Sequence, residues 1–89
     1  MAILVDCSPD FKKGRSWFFM TSDTSVAELV VFAIKIGLKR EWLKLEGQLP
    51  RFEITSFFRR KALENKAIES TSKELLAASE AIGRKYYES

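Results

Sequence analysis

The chain has 89 residues, of which 46% are hydrophobic and 30% charged, and a net charge of +3. That length suits one domain near the small end of those that fold alone, and the composition excludes a disordered chain. No histidine is present and Cys7 is the single cysteine, which excludes an internal disulfide, a thiolate cluster and the commonest general base and zinc ligand.

Residues 2–5 are wholly apolar and stop at Asp6, the pattern of a strand buried at the centre of a sheet. The opening carries no basic segment ahead of it, so it does not read as a signal peptide, and the longest strictly apolar run, residues 29–34, is too short to span a bilayer. Both point to a soluble protein of the reducing cytosol, where a lone Cys7 is structural rather than reactive. Ser8, Pro9 and Asp10 break the first strand, residues 11–15 read as a basic loop around Gly14, and the aromatic run of residues 16–21 reads as a second strand.

Ser25 and Glu28 have the spacing of a capping box, and Val26, Leu29, Val30, Ala33 and Ile36 recur at helical steps. Val31, Phe32 and Ile34 make the other side apolar too, which predicts a helix buried nearly all round. The β-branched content of residues 29–36 would also suit a strand; length and capping favour the helix, and Gly37 fits its left-handed stop. Residues 38–45 read as a second, short helix with Leu38, Trp42 and Leu45 on one face. Residues 51–54 alternate as a half-exposed strand. Thr55 caps a helix over residues 56–64 with Asn65 as its stop, residues 67–69 form a short strand, and Thr71 with Glu74 opens a last helix weakened by Gly83 before a basic-aromatic tail. The expected fold is therefore α/β: one domain over residues 1–89, a single-layer sheet of about four strands in the order β-β-α-α-β-α-β-α, with three main helices and some parallel pairing.

Several of these segments fall in a familiar order. Ile3 to Asp6 read ILVD, Trp17 stands in the second strand, and Asp23-Thr24 precedes the helix. Gly37-Leu38-Lys39-Arg40-Glu41-Trp42 follows, then residues 51–55 as RFEIT, Arg59, Ala67-Ile68-Glu69 and Lys73-Glu74-Leu75. Taken together, over nearly the full length, the chain resembles the short bacterial and phage proteins grouped as domain of unknown function 4031. The resemblance implies a histidine where Phe19 stands, a histidine at Arg51, an aspartate at Glu53 and a second acid at Cys7. If those groups bind a metal or move protons in the family, this chain lacks much of the set. The resemblance carries over Asp6, Trp17, Arg40, Trp42, Glu53 and Arg59 as candidates for a polar ligand site.

No catalytic residue, metal site or cofactor motif is identified. A hard cation could use Asp6, Asp23 and Glu53, but each has a local explanation: a strand-end turn, a helix cap and a surface strand position. No glycine-rich phosphate loop is present. Basic residues cluster at Lys12, Lys13 and Arg15, at Lys39, Arg40 and Lys44, and at Arg59, Arg60 and Lys61, and two of the clusters lie near tryptophans.

Three functional expectations follow. The first is a small, non-enzymatic cytosolic interaction protein of phage or mobile-element origin that binds a host or defence macromolecule, most simply a protein. The second is a nucleotide- or metal-binding, vestigial enzyme domain with a polar pocket at Asp6, Arg40, Glu53 and Arg59. The third is a nucleic-acid-binding module that uses Lys12, Lys13, Arg15, Arg59, Arg60 and Lys61. No membrane association is expected.

Overall fold

The computed structural model describes residues 2–12 and 14–88, with the backbone alone at Lys12. Its elements are β1 (Ile3–Asp6), β2 (Asp10–Lys12), β3 (Arg15–Ser22), α1 (Val26–Lys35), β4 (Phe52–Ile54), α2 (Ser56–Glu64), β5 (Ile68–Ser70) and α3 (Ser72–Glu88). Two 3-10 turns, Arg40–Trp42 and Glu46–Gln48, lie between α1 and β4. The fold is the expected small α/β arrangement, with a mixed sheet and three helices.

β3 is the hub, because Met20 pairs with Val5 of β1 on one edge and with Phe52 of β4 on the other. β1 pairs in parallel with β5, Leu4 opposite Ile68. β2 is a strand the sequence reading missed. It pairs with the start of β3, Asp10 opposite Trp17, and Gly14, at φ 73°, turns the chain back between them. Between the Val5–Met20 and Asp10–Trp17 pairs the β1–β2 edge carries two more residues than β3, so Cys7, Ser8 and Pro9 bulge from a nearly continuous strand.

Strand alternation divides the side chains between two faces. One face, with Ile3, Val5, Phe18, Met20, Phe52 and Ile54, packs on Leu29 and Ala33 of α1, its C-cap Ile36, and Ala62 of α2 to form the main core. The other, with Phe19, Thr21 and Glu53, is where α3 lies across the sheet. α1 and α3 meet at the edge through Val26, Val30 and Ile82.

Local chemistry sets the helix ends. The Glu28 amide donates to Ser25 Oγ at 3.1 Å, as the capping box requires, while the Glu28 carboxylate is taken by Ser22 Oγ at 2.9 Å. After α1, Gly37 at φ 102° completes a Schellman stop: the Leu38 amide reaches the Ala33 carbonyl at 2.9 Å. The same stop after α2 uses Lys66, at φ 76°, rather than Asn65. Thr71 and Glu74 form the complete reciprocal box, with the Thr71 amide 2.9 Å from Glu74 Oε1 and the Glu74 amide 3.2 Å from Thr71 Oγ1. The Thr71 amide bond, then a second bond in which Thr71 Oγ1 donates to the same Oε1 at 3.1 Å, hold the Glu74 carboxyl below its ordinary value.

Three expectations change. α1 is not buried all round: Val31 is 69% and Ile34 54% exposed. Residues 38–45 make one 3-10 turn and then an extended bridge, Lys44 opposite Arg51, because Lys39 is extended and too few residues remain to nucleate an α-helix. The basic-aromatic tail is part of α3: the helix runs through Gly83, which it buries, to Glu88.

Asp23 is not the cap of α1 either. Its carboxylate accepts from the Ala2 amide at 2.8 Å and from Thr24 Oγ1 at 2.8 Å, tying down the start of β1. The Ala2 bond, then the Thr24 bond, lower its pKa below the ordinary 3.8. A depressed carboxylate stabilises the fold above its unfolded pKa and loses that contribution as pH falls through the folded value. Asp23→Asn is therefore expected to lower Tm at neutral pH, and the gap to the parent protein is expected to close as pH falls from about 4 towards 2. Thermal melts across that range check it; a gap that widens on acidification contradicts the assignment.

Candidate functional site

Asp6 stands one residue past the Val5–Met20 pair, which places it on the row of Phe19, and Phe19 pairs with Glu53. Asp6, Phe19 and Glu53 thus cross the sheet in line on the α3 side. These are the positions where the resemblance implies Asp, His and Asp. The row floors a cleft of about 330 Å³ closed by Trp17 and by Ser72 and Leu75 of α3. Asp6 Oδ1 accepts the Ser8 amide at 3.1 Å, and Ser72 Oγ donates to Oδ2 at 3.2 Å. Glu53 faces Lys44 Nζ and Arg51 Nη2, each at 3.9 Å. Arg51 spans the same row, with its guanidinium 5.6 Å from the Phe19 ring centre and Nη1 on the Leu49 carbonyl at 2.9 Å. Two strand spacings, about 10 Å, separate Asp6 from Glu53, with an apolar ring between them. Among the described residues no three His, Cys, Asp or Glu side chains gather as a metal site.

Arg59 comes from the opposite face. Its Nε donates to the Asp6 carbonyl at 3.0 Å, Nη2 pairs with Glu69, and the guanidinium sits 4.9 Å from the Phe18 ring centre. It braces β1, β5 and α2 and offers no face to a ligand. Arg40 is elsewhere again, on a groove of about 540 Å³ between α1 and α3. The expected quartet of Asp6, Arg40, Glu53 and Arg59 therefore does not converge: only Asp6 and Glu53 share a cleft.

The structure groups the tryptophans instead. Trp17, Trp42 and Glu53 line a larger cleft of about 660 Å³ between residues 38–44, the ends of β3 and β4, and the start of α2. Trp42, which helical spacing puts on one face with Leu38 and Leu45, is 47% exposed, with Lys39 Nζ 5.7 Å from its ring centre. Arg15 lines this cleft too. Of the other basic candidates, Arg60 and Lys61 stand exposed on α2, the Lys12 side chain and Lys13 lie outside the described residues, and Arg59 is committed as above.

Sequence reasoning missed Ser72, Arg51 and Ser79. Ser72 had a usable signal, because the Thr71–Glu74 box fixes where α3 begins and so brings Ser72 to the strand end at Asp6. Arg51 and Ser79 depend on pairings across the fold. Ser79 Oγ and Thr21 Oγ1 both donate to the Pro50 carbonyl at 2.9 Å, anchoring the loop ahead of β4.

The sequence profile of a family described as protein of unknown function (DUF4031) matches residues 3–82. The chain belongs to the DUF4031 family. The match runs from the first residue of β1 through most of α3 and covers the lining of the first and third clefts described, while the groove between α1 and α3 also uses Lys85 and Tyr86 beyond it. No curated protein and no solved structure matches the chain.

Proposed function

We propose that this DUF4031 protein is a non-enzymatic binding module of the cytosol that docks an acidic, amphipathic helix of a protein partner in the groove between α1 and α3. The observation that carries the reading is the outer face of α1. Ala27, Val31 and Ile34 follow helical spacing, and all three are exposed. Single exposed apolar side chains are ordinary, but a contiguous apolar helix face beside a groove marks an interaction surface. The groove floor is Val26, Val30 and Ile82, with Tyr86 as a wall. Its two charged lining residues, Arg40 and Lys85, are both basic. An apolar floor with a basic rim complements a helix with an apolar ridge flanked by carboxylates. The single cysteine supports a reducing compartment, and the lack of histidine supports a role without acid–base chemistry.

A displayed library of helical peptides of varied charge tests this reading. Selection is expected to enrich amphipathic sequences rich in Asp and Glu, whose affinity falls at least about tenfold on Val31→Asp and on Arg40→Glu. Both side chains are exposed, so Tm should stay near the parent value. Enrichment of basic peptides, indifference to Val31→Asp, or a dimer in sedimentation that Val31→Asp dissolves would each overturn it, the last in favour of a second copy as occupant.

A further inference from the structure

The cleft of about 660 Å³ that holds both tryptophans adjoins the helix groove and shares Leu43 with it, but its other lining residues are its own. Its size falls in the range of small-molecule sites. Three features define what would fit. The first is the pair of indoles, the only tryptophans in the chain, which both line one cavity although 25 residues of sequence separate Trp17 from Trp42. Trp42 is half exposed there, in a domain small enough to need its large rings for the core. A flat, π-rich ring is the occupant that indole faces recognise. The second is Thr55, the N-cap of α2, which lines the cleft and whose hydroxyl makes no capping bond. The first-turn amides of α2 are thus left without the side-chain acceptor that an N-cap threonine normally gives. The third is Arg15 at the rim, exposed at the start of β3. A guanidinium beside an uncapped helix start favours an anion with several acceptor oxygens.

A ring bearing an anion, linked over the span of one cleft, is a nucleotide. We infer that this cleft binds a free nucleoside 5′-monophosphate, with the base against Trp17 and Trp42 and the phosphate towards Arg15 and the start of α2. Glu41 on the lining is an acceptor suited to sugar hydroxyls, while Glu53 is paired with Lys44 and Arg51. A free mononucleotide is favoured over a polynucleotide strand because Arg59, which would have extended the basic surface along α2, is turned to the Asp6 carbonyl and Glu69.

Because both tryptophans are in the cleft, intrinsic fluorescence reads binding directly, with calorimetry as an independent measure. AMP, GMP, CMP and UMP are titrated beside adenosine, inorganic phosphate and a ten-residue oligothymidylate. The expected result is saturable quenching by at least one monophosphate, with at least about tenfold weaker binding of adenosine than AMP and no saturation by phosphate alone. Trp42→Ala and Arg15→Ala should each weaken the monophosphate at least about tenfold by calorimetry, with Trp42→Phe recovering part of the loss. Circular dichroism confirms that each variant is folded; exposed Arg15 provides a second variant if Trp42→Ala is not. Absence of saturation at 10 mM of every monophosphate, on the order of the weakest binding worth calling a site, overturns the assignment. So do equal affinities for adenosine and AMP, or an oligothymidylate that binds more tightly than any monophosphate.

Discussion

Replacing Gly83 by alanine is expected to destabilise the protein by about 3 kcal/mol, a fall in Tm of more than about 10 °C for a domain of this size. Helix propensity alone predicts the reverse, since alanine in a helix interior is favoured over glycine by about 1 kcal/mol. Packing decides the sign. A Cβ at Gly83 would lie 2.1 Å from the Gln48 carbonyl oxygen and 3.1 Å from Pro50 Cδ. The first obstacle is backbone, so no rotamer change relieves it; either α3 or the turn at Glu46–Gln48 must move by about 1 Å. That movement also strains the Pro50 carbonyl, which holds Thr21 and Ser79. Two measurements separate the terms. Urea unfolding of Gly83→Ala should show the loss of stability, while an isolated peptide of α3 with the same change should gain helicity. A full-length variant as stable as its parent would show that the close approach is not a constraint.

Arg59→Ala is expected to cost about 2–3 kcal/mol, which treats Arg59 as a structural brace and not as a ligand-binding residue. The Arg59 side chain is 19% exposed and meets three partners: the Asp6 carbonyl, the Phe18 ring and Glu69. Removing it strips the Asp6 carbonyl of its guanidinium donor and uncovers Phe18. The Glu69 pair contributes least, because Glu69 is 55% exposed and such pairs are worth about 0.5 kcal/mol. Glu69→Gln should therefore cost much less than Arg59→Ala, and a double-mutant cycle between them should return under about 1 kcal/mol. Arg59→Lys should recover little, since an ammonium cannot both stack on Phe18 and donate from Nε. If Arg59→Ala instead unfolds at the parent urea midpoint, the brace is not what holds the β1 end to α2.

Much of the fold was legible because it rests on local chemistry. The Ser25 and Thr71 caps, the Gly37 stop and the apolar steps of α1 each depend on residues within a few positions of one another, and each lies where the pattern put it. What the pattern could not carry was pairing at a distance. β2 has no apolar alternation in its three residues and so resembles a loop in sequence; only its place beside β3 makes it a strand. The outer face of α1 read as buried because hydrophobicity marks burial without saying what covers it. The candidate site divides in the same way. Asp6 and Glu53 share a row because two registers align them through Phe19, whereas Arg59, 53 residues along the chain from Asp6, reaches the same strand end from behind. Spacing along the chain cannot tell the two faces of a sheet apart when the strands are three and four residues long.

The Pro50 carbonyl lies 29 residues along the chain from Thr21 and 29 from Ser79. Closing a loop of that length costs about 3 kcal/mol in chain entropy, while a hydroxyl bond contributes about 1 kcal/mol. Neither bond can therefore gather the chain; both must form after the apolar core has brought their partners together. The carbonyl is a latch on the finished structure rather than a nucleus of it. The loop it secures leads from the wall of the tryptophan cleft into β4, so that wall sets late. Substitutions around Pro50 then act on how fast the native state opens and leave the rate at which it forms nearly unchanged.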